Sequence, residues 1–254
     1  MFPISLKSMF LCFLRSYLTN SAFNTRGMQN IGLAYAIDPG LKEIYKDSLK
    51  LQKARRRHLK LFNTHHLWTP LLVGLFISLE SQVSRGLFPP QSFPKIKSTL
   101  VYTLSAIGDS FFSGTLLITW SLLTMILIFL EMYVWAAALG MVFFTGIQVF
   151  KLILFHKGMT QGLIFINHLQ RWNLINWGTR LKIFNSLLVP AFWLVIWPFN
   201  WHLYNFILVT LISLLLVYFY RFFPRTREVL LVCLLVLTVF APQVFSWING
   251  YPQP

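Results

Sequence analysis

Apolar and polar positions change their spacing along this chain, and each change predicts a different kind of element. From Asp38 to Lys53, the residues Leu41, Ile44, Tyr45, Ser48 and Leu49 recur at helical spacing, while Lys42, Lys46, Lys50 and Lys53 take the other side. That pattern predicts an amphipathic helix with a solvated or headgroup-facing basic surface. Asp38-Pro39 reads as its start, with the Asp capping and the Pro in the first turn. The pairs Glu43 with Lys46 and Asp47 with Lys50 add only a few tenths of a kcal/mol each. Leu67 to Leu79 is then an apolar run of thirteen residues. At about 1.5 Å per residue it is too short for a hydrocarbon core of about 30 Å, so it is expected to enter a membrane and stop. The linker Arg85 to Lys97, with Pro89, Pro90 and Pro94, returns the chain to a basic surface. A second apolar stretch, Ser98 to Thr119, is interrupted at Gly108-Asp109 and again at Gly114. Two re-entrant hairpins are therefore expected, one following Asn63-Thr64 and one containing Gly108-Asp109. Broken backbone survives at membrane depth only where protein or a water-filled cavity satisfies it.

Beyond them, Trp120 to Phe150 is long enough for a tilted span, and Lys182 to Asn200, Leu203 to Tyr220 and Val229 to Trp247 are further candidate helices. Glu131 lies in the longest apolar run. It reads as a polar contact with another subunit, or as a loop residue if that run is two helices with a turn. Basic clusters at Arg171, Arg180 and Lys182, and at Arg221, Arg225 and Arg227, alternate with the uncharged loop Pro198 to His202 and the uncharged tail. The alternation puts the basic loops in the cytoplasm and the C-terminus outside. Trp197, Trp201, Tyr218 and Trp247 fit interface belts. The expected architecture is an all-α integral membrane protein in three parts: basic interfacial helices over residues 1–66, two re-entrant hairpins over 67–119, and several transmembrane helices over 120–254.

Composition agrees with that architecture. Of 254 residues 56% are hydrophobic and 11% charged, against roughly 25% charged in an ordinary soluble domain. Eleven of the 22 Lys and Arg residues fall before His66, and the net charge is +15. A soluble fold presenting a nucleic-acid footprint is excluded by the apolar runs, whereas inward orientation and contact with anionic lipid headgroups account for the charge. Cys12 and Cys233 lie far apart in apolar surroundings and read as small buried hydrophobes, not as a disulfide framework. After Lys7 only Met9 to Leu14 are available before Arg15 interrupts, so no signal peptide is expected and the N-terminus stays in the mature protein. His58, His65 and His66 lack the Cys or carboxylate that would complete a tetrahedral metal set. Neither a nucleophile–base–orienter set nor a phosphate-binding Gly-rich loop is visible, so no catalytic residue, metal or cofactor is assigned.

An ionisable group in lipid costs a few kcal/mol or more unless it faces protein or water, so Asp109 marks a polar pathway or, in the plainer reading, caps a broken half-helix. The ordered set Met28-Gln29, Arg56-Arg57-His58-Leu59, Phe62-Asn63-Thr64-His65, Leu79-Glu80, Ile107-Gly108-Asp109-Ser110 and Gly114-Thr115 resembles the IID membrane subunit of mannose-family sugar phosphotransferase transporters. Members of that family carry Arg-Met-Gln, Arg-Arg-His-Leu, Phe-Asn-Thr-(His or Gln)-Pro, Leu-Glu-Glu and a Gly-Ile-Gly-Asp-Ser-x-Phe-Trp-Gly-Thr block in the same order. Here Gly27 replaces the first Arg, Tyr102-Thr103 a Gly-Pro, Ala106 a Gly, Ser113 the Trp, and Leu117-Ile118 an Arg-Pro. Lys151 and Gly158-Met159-Thr160-Gln161-Gly162 look like the family's Arg and Gly-Tyr-x-x-Gly.

The resemblance implies a non-enzymatic subunit of the bacterial cytoplasmic membrane. It would pair with a IIC subunit in a multimer, pass a hexose inward, and leave phosphoryl transfer to histidines on soluble IIA and IIB units. It also implies that Asp109, with Asn63, Thr64, Ser110 and Thr115, lines the sugar path. Asn63 and Thr64 equally suit satisfying the turn's freed backbone, and Ser110 and Thr115 bonding the preceding turn. Glu80 is expected to pair with a cation among Arg55 to Arg57, and Arg56, Arg57, His58, Gln29, Gly108 and Gly114 to hold structure or a partner. Because both family Arg positions are altered, a non-transporting scaffold or regulatory paralogue that keeps the fold stands as the alternative.

Overall fold

The computed structural model describes residues 4–196, together with Ile207, Thr210 and Leu211. The helices expected beyond Ile196, the four interface aromatics and Cys233 lie outside the described residues. Within them the chain is helical: α1 (Leu6–Ser16), a 3-10 turn (Thr19–Ala22), α2 (Asn30–Ile44), α3 (Ser48–His58), α4 (Thr69–Ser84), α5 (Phe93–Gly108), a π-helical stretch (Asp109–Leu116), α6 (Leu117–Phe129), α7 (Tyr133–Gln161), α8 (Leu163–Arg171) and α9 (Leu174–Val195).

The Asp38-Pro39 pair does not begin a helix. Pro39 sits inside α2, where it has no N–H to offer the Tyr35 carbonyl four residues back. The Arg15 guanidinium takes over that carbonyl, donating at 3.4 Å while lying 4.2 Å over the Tyr35 ring. Asp38 pairs instead with Lys42 at 2.9 Å and Arg55 at 2.7 Å. The expected single basic helix is consequently two. α2 ends at Ile44, and Asp47 caps α3 by accepting from the Leu49 and Lys50 amides at 2.8 and 3.3 Å. With the phase broken, Ser48 and Leu49 are exposed along with the lysines.

α4 is the axis of the fold. Every residue from Thr69 to Ile77 is buried, including the polar first turn, so its apolar run contacts protein all round. Its main neighbour is α7, and the two approach at glycine. A Cβ on Gly74 would stand 2.5 Å from the Phe155 carbonyl oxygen, and one on Gly158 would stand 2.5 Å from that of Leu71. Each glycine thus admits the other helix's backbone. α4 ends at Gly86, whose φ of +74° lets Leu87 and Gly86 donate back to Gln82 and Val83 at 2.9 and 3.1 Å, closing the last turn with a residue that needs no Cβ.

The second interrupted stretch does not turn back at Gly108-Asp109. α5, the π-helical residues and α6 form one continuous helix from Phe93 to Phe129, 37 residues long and apolar enough to cross a membrane. Glycine and a single Asp disturb hydropathy without breaking the backbone ladder, which here widens to i→i−5 bonding, as in Leu117 N–H to Phe112 O. The expected single span Trp120 to Phe150 is corrected too, because the chain reverses between α6 and α7 at Glu131. Its φ is +60°, and Met132 and Glu131 donate to Leu127 and Ile128 at 2.9 and 3.0 Å. This is a Schellman closure with Glu at the position glycine usually takes. Hydropathy missed it because Leu130 and Met132 are themselves apolar. α7, 29 residues long, is the second helix able to span a membrane.

Gly158→Val is expected to destabilise the protein by about 1–3 kcal/mol or more, since its methyls meet α4 backbone that cannot yield. Thermal unfolding of the detergent-solubilised chain checks this, with Gly140→Val as the control, because a Cβ on Gly140 meets nothing within 4 Å.

Candidate functional site

Glu80, on α4, has no exposed surface, yet it is ionised among groups that require its charge. Arg57 donates from Nε to Oε1 at 3.1 Å and from a terminal nitrogen to Oε2 at 2.6 Å, a fork that fits a carboxylate. The Tyr45 hydroxyl donates to Oε2 at 2.7 Å, and His58 Nε2 lies 2.8 Å from Oε1. Burial alone would raise the Glu80 pKa, but the hydrogen bonds from His58 and Arg57 and the charge of Arg57 hold it down to about 2. His58 moves below its ordinary value, burial outweighing the pull of Glu80. Its Nδ1 is buried without a partner, which suits the neutral ring donating from Nε2, since a protonated Nδ1 would need an acceptor there. Phe93 meets the ring edge to face at 5.1 Å. Lys97, from α5, donates to the carbonyls of His58 and Lys60 at 3.2 Å each. Of the cations expected near Glu80, Arg57 makes the pair, Arg55 turns to Asp38 and Arg56 faces outward.

This cluster fixes the end of α3 and so the start of the loop that follows. Gln29 fixes its other end. The Gln29 amide side chain accepts from Thr64 N–H at 3.0 Å and donates to Thr64 O at 3.1 Å, and its own N–H donates to Phe62 O at 2.8 Å. Thr64 is therefore held by its backbone, with its hydroxyl buried and unpartnered, whereas Asn63 beside it is exposed.

The loop then meets the π-helical stretch. A Cβ on Gly108 would lie 2.4 Å from that of His65 and 2.9 Å from Trp68, so only glycine lets the helix seat directly on the loop. His65 Nδ1 accepts from Leu67 N–H at 3.3 Å, which leaves the proton on Nε2 to be donated to Ser113 Oγ at 3.0 Å. Burial lowers the His65 pKa against the opposing field of Asp109, keeping the ring neutral. The exposed Ser113 hydroxyl, having accepted from His65, retains its own proton to donate. Asp109 and Ser110 are exposed on the same helix, and among the described residues the Asp109 carboxylate has no hydrogen bond or ion pair. Carboxylate, hydroxyls and the Asn63 amide together offer acceptors and donors of the kind a hydroxyl-rich ligand requires.

Thr115 belongs elsewhere. It is fully buried and its hydroxyl donates to the Phe111 carbonyl. Its own carbonyl receives Thr119 Oγ1 at 2.9 Å and Asn185 Nδ2 at 3.1 Å, while Thr119 Oγ1 also reaches Asn185 Oδ1 at 2.7 Å. That network joins the helix to α9 and gives Thr115 a structural role. Gly114 keeps the π turn open, since a Cβ there would lie 3.1 Å from the Asp109 carbonyl oxygen. Sequence reasoning passed over Asn185, Lys97 and Tyr45. The available signal was an amide in the mostly apolar second half of α9 for the first, and for the others a polar group whose partner lies far along the chain.

The family described as PTS system mannose/fructose/sorbose family IID component matches residues 3–192. The chain is 29% identical over 111 residues to the Fructose permease IID component of Bacillus subtilis (strain 168), covering 43% of this chain and 40% of that protein. It is 32% identical over 105 residues to the PTS system mannose-specific EIID component of Escherichia coli (strain K12), covering 41% and 37%. These alignments therefore span less than half the length of the curated relatives. Among solved structures, one described as "Structure of membrane protein" superposes with a TM-score of 0.62 at 20% identity, over 74% of this chain and 70% of that one. The "CryoEM Structure of Mannose Transporter ManYZ and Microcin E492 (MceA) complex" superposes with a TM-score of 0.55 at 18% identity, over 100% of both chains. Both likenesses establish a shared fold.

Replacing Arg57 by Met strands the buried Glu80 and is expected to cost about 3–5 kcal/mol. Stability should also fall with acid in two stages. His58, His65 and His66, all held below the ordinary 6.5, stay neutral when folded but take up protons when unfolded, so stability declines once pH drops below 6.5. Glu80 contributes fully above its ordinary 4.5 and loses that contribution as pH falls toward about 2. Melting temperature followed across this range should show a smaller lower stage in Glu80→Gln, the remainder coming from Asp38 and Glu43, which are also held below their ordinary values.

Proposed function

The chain belongs to the mannose/fructose/sorbose family of phosphotransferase-system IID components, and from that premise we propose that it pairs with a IIC subunit in the bacterial cytoplasmic membrane to form the path by which a hexose enters. IIB, charged by IIA, phosphorylates the sugar as it arrives, and this chain carries no phosphoryl group itself.

One observation supports the reading most strongly. Asp109 is exposed and, among the described residues, unpaired on a helix long and apolar enough to span a membrane. A carboxylate so placed is tolerated against water or another protein's polar surface, not against hydrocarbon. Ser110 and Ser113 on the same helix, with the exposed Asn63 on the loop that carries His65, favour sugar hydroxyls as the ligand, and the seating of Gly108 and Ser113 on His65 favours a rigid support. On this reading Asp109, Ser110 and Asn63 contact sugar, Ser113 joins them, and Thr64 and Thr115 act through the backbone. The apolar side chains that α6, α7 and α9 leave exposed, among them Phe129, Trp135, Phe144, Ile183 and Leu187, suit lipid and the IIC subunit, within a multimer of the pair. The exposed Lys42, Lys46, Lys50 and Lys53 suit anionic headgroups or the IIB face.

Phosphoenolpyruvate-dependent phosphorylation of mannose and related hexoses, measured in membranes supplied with IIC and the soluble carriers, should require this chain. Asp109→Asn should reduce it about 10- to 100-fold, the loss of a charged hydrogen bond, while the variant still co-purifies with IIC. Unchanged sugar affinity in Asp109→Asn would remove Asp109 from the path.

A further inference from the structure

Apart from the Asp109 face, the end of α1, the start of α4 and the middle of α7 enclose a small polar cavity of about 130 Å³, lined by Ser16, Tyr17, Asn20, His66, Thr69, Pro70 and Lys151. Lys151 is 9% exposed, and among the described residues no carboxylate pairs with it. Its ammonium stands 4.5 Å over the Tyr17 ring. That ring is held in place by its hydroxyl, which donates to Gln148 at 2.7 Å. A cation taken out of water is ordinarily matched by an anion, and an aromatic face compensates it only in part.

The rest of the lining points the same way. Thr69, 1% exposed, has a buried hydroxyl without a partner among the described residues. It is also the first residue of α4, a sixteen-residue helix whose N-cap, Trp68, provides no side-chain hydrogen bond. Pro70 has no N–H and the Trp68 amide already donates to His65 O at 2.9 Å, so Thr69 N–H is the first free amide of this helix, at the positive end of its dipole. The Asn20 amide makes no hydrogen bond among the described residues, and His66 stands at the rim, stacked on His65 at 4.5 Å. The Ser16 hydroxyl is committed to the Phe13 carbonyl at 2.6 Å. Positive charge, helix terminus and unused donors thus converge, and no lining residue is acidic. Ligand pockets for drug-sized molecules run to about 300–1,000 Å³, so this volume suits a single tetrahedral oxyanion rather than a hexose.

We propose that this cavity is a binding site for a phosphate-class oxyanion, held by the Lys151 ammonium and by the hydroxyl and amide of Thr69, with Asn20 and His66 closing the rim. Inorganic phosphate, a soluble phosphomonoester and a phospholipid headgroup share that chemistry. The site is independent of the sugar path, and sugar transport stands whether or not it binds.

The test is thermal unfolding of the full chain in neutral detergent, titrated with sodium phosphate against sodium chloride at matched ionic strength, since an ion that binds only the folded state raises its melting temperature. Phosphate should stabilise the wild type beyond chloride, with an apparent affinity weakened about tenfold or more in Lys151→Met and severalfold in Thr69→Val. Repeating the melt in nanodiscs of phosphatidylglycerol or phosphatidylcholine separates the sources. Stabilisation by free phosphate assigns the soluble ion. Lys151-dependent stabilisation by phosphatidylglycerol alone assigns the same site to a headgroup. Equal effects of phosphate and chloride with no lipid preference, or full retention of the response in Lys151→Met, would overturn the proposal. Should Lys151→Met fail to fold, Thr69→Val decides, because wild-type phosphate affinity in that near-isosteric variant would overturn it as well.

Discussion

A carboxylate without access to water must be given its counter-charge and donors by the protein, and Glu80 draws four helices together to obtain them. Arg57 and His58 come from α3, Tyr45 from the end of α2, and Lys97 of α5 joins through the His58 carbonyl. Such a pair adds little net stability over an apolar replacement, but it tolerates only one arrangement. The end of α3 is thereby set, Gln29 pins the following loop at Thr64, and His65 reaches Gly108 at a distance only glycine allows. The exposed polar face at Asp109 is downstream of that chain of constraints.

How much of this could be read from the sequence depended on how far apart the cooperating residues lie. The pairing of Glu80 with a cation of the Arg55 to Arg57 run was legible, because few acids are available and that basic run is dense. Asp109 stood out as a charge among apolar residues. The interior Pro39 was misread, because the rule that places proline in a first turn assumes the carbonyl four residues back has no other donor. Arg15, twenty residues before Tyr35, supplies one. The π-helical stretch left no mark on hydropathy, since widening the ladder changes neither composition nor the order of side chains. Of the two readings open for Glu131, the loop between two helices is the one observed, although a non-glycine residue at positive φ between apolar neighbours gives little turn signal of its own. The exposed polar residues around Asp109 were thus legible one by one, but not the scaffold that carries them. Thr115 looked like part of the polar face and belongs instead to the Asn185 network behind it.

Several departures from the family pattern acquire a physical sense in this arrangement. Ser113, where relatives in the resembling motif carry Trp, takes the His65 proton donor and adds a hydroxyl to the exposed face. Gly27, in place of Arg, accepts the Phe62 amide at 3.2 Å through its carbonyl, and Asn30 crowds its Cα so closely that a side chain there would displace it. These two substitutions are accommodated by local contacts, while Gly108, against which His65 packs, keeps the family residue.

The paired glycines between α4 and α7 also govern how the protein can move. With Gly74 against the Phe155 carbonyl and Gly158 against that of Leu71, sliding either helix along the other would drive a neighbouring side chain into backbone. The two helices therefore behave as one stiff blade. Any cycle that exposes first one side of a membrane and then the other has to swing this blade whole, with the bending taken up at its ends. Gly86 after α4 and Gly162 after α7, with φ of +74° and +55°, are the joints that mechanical logic singles out.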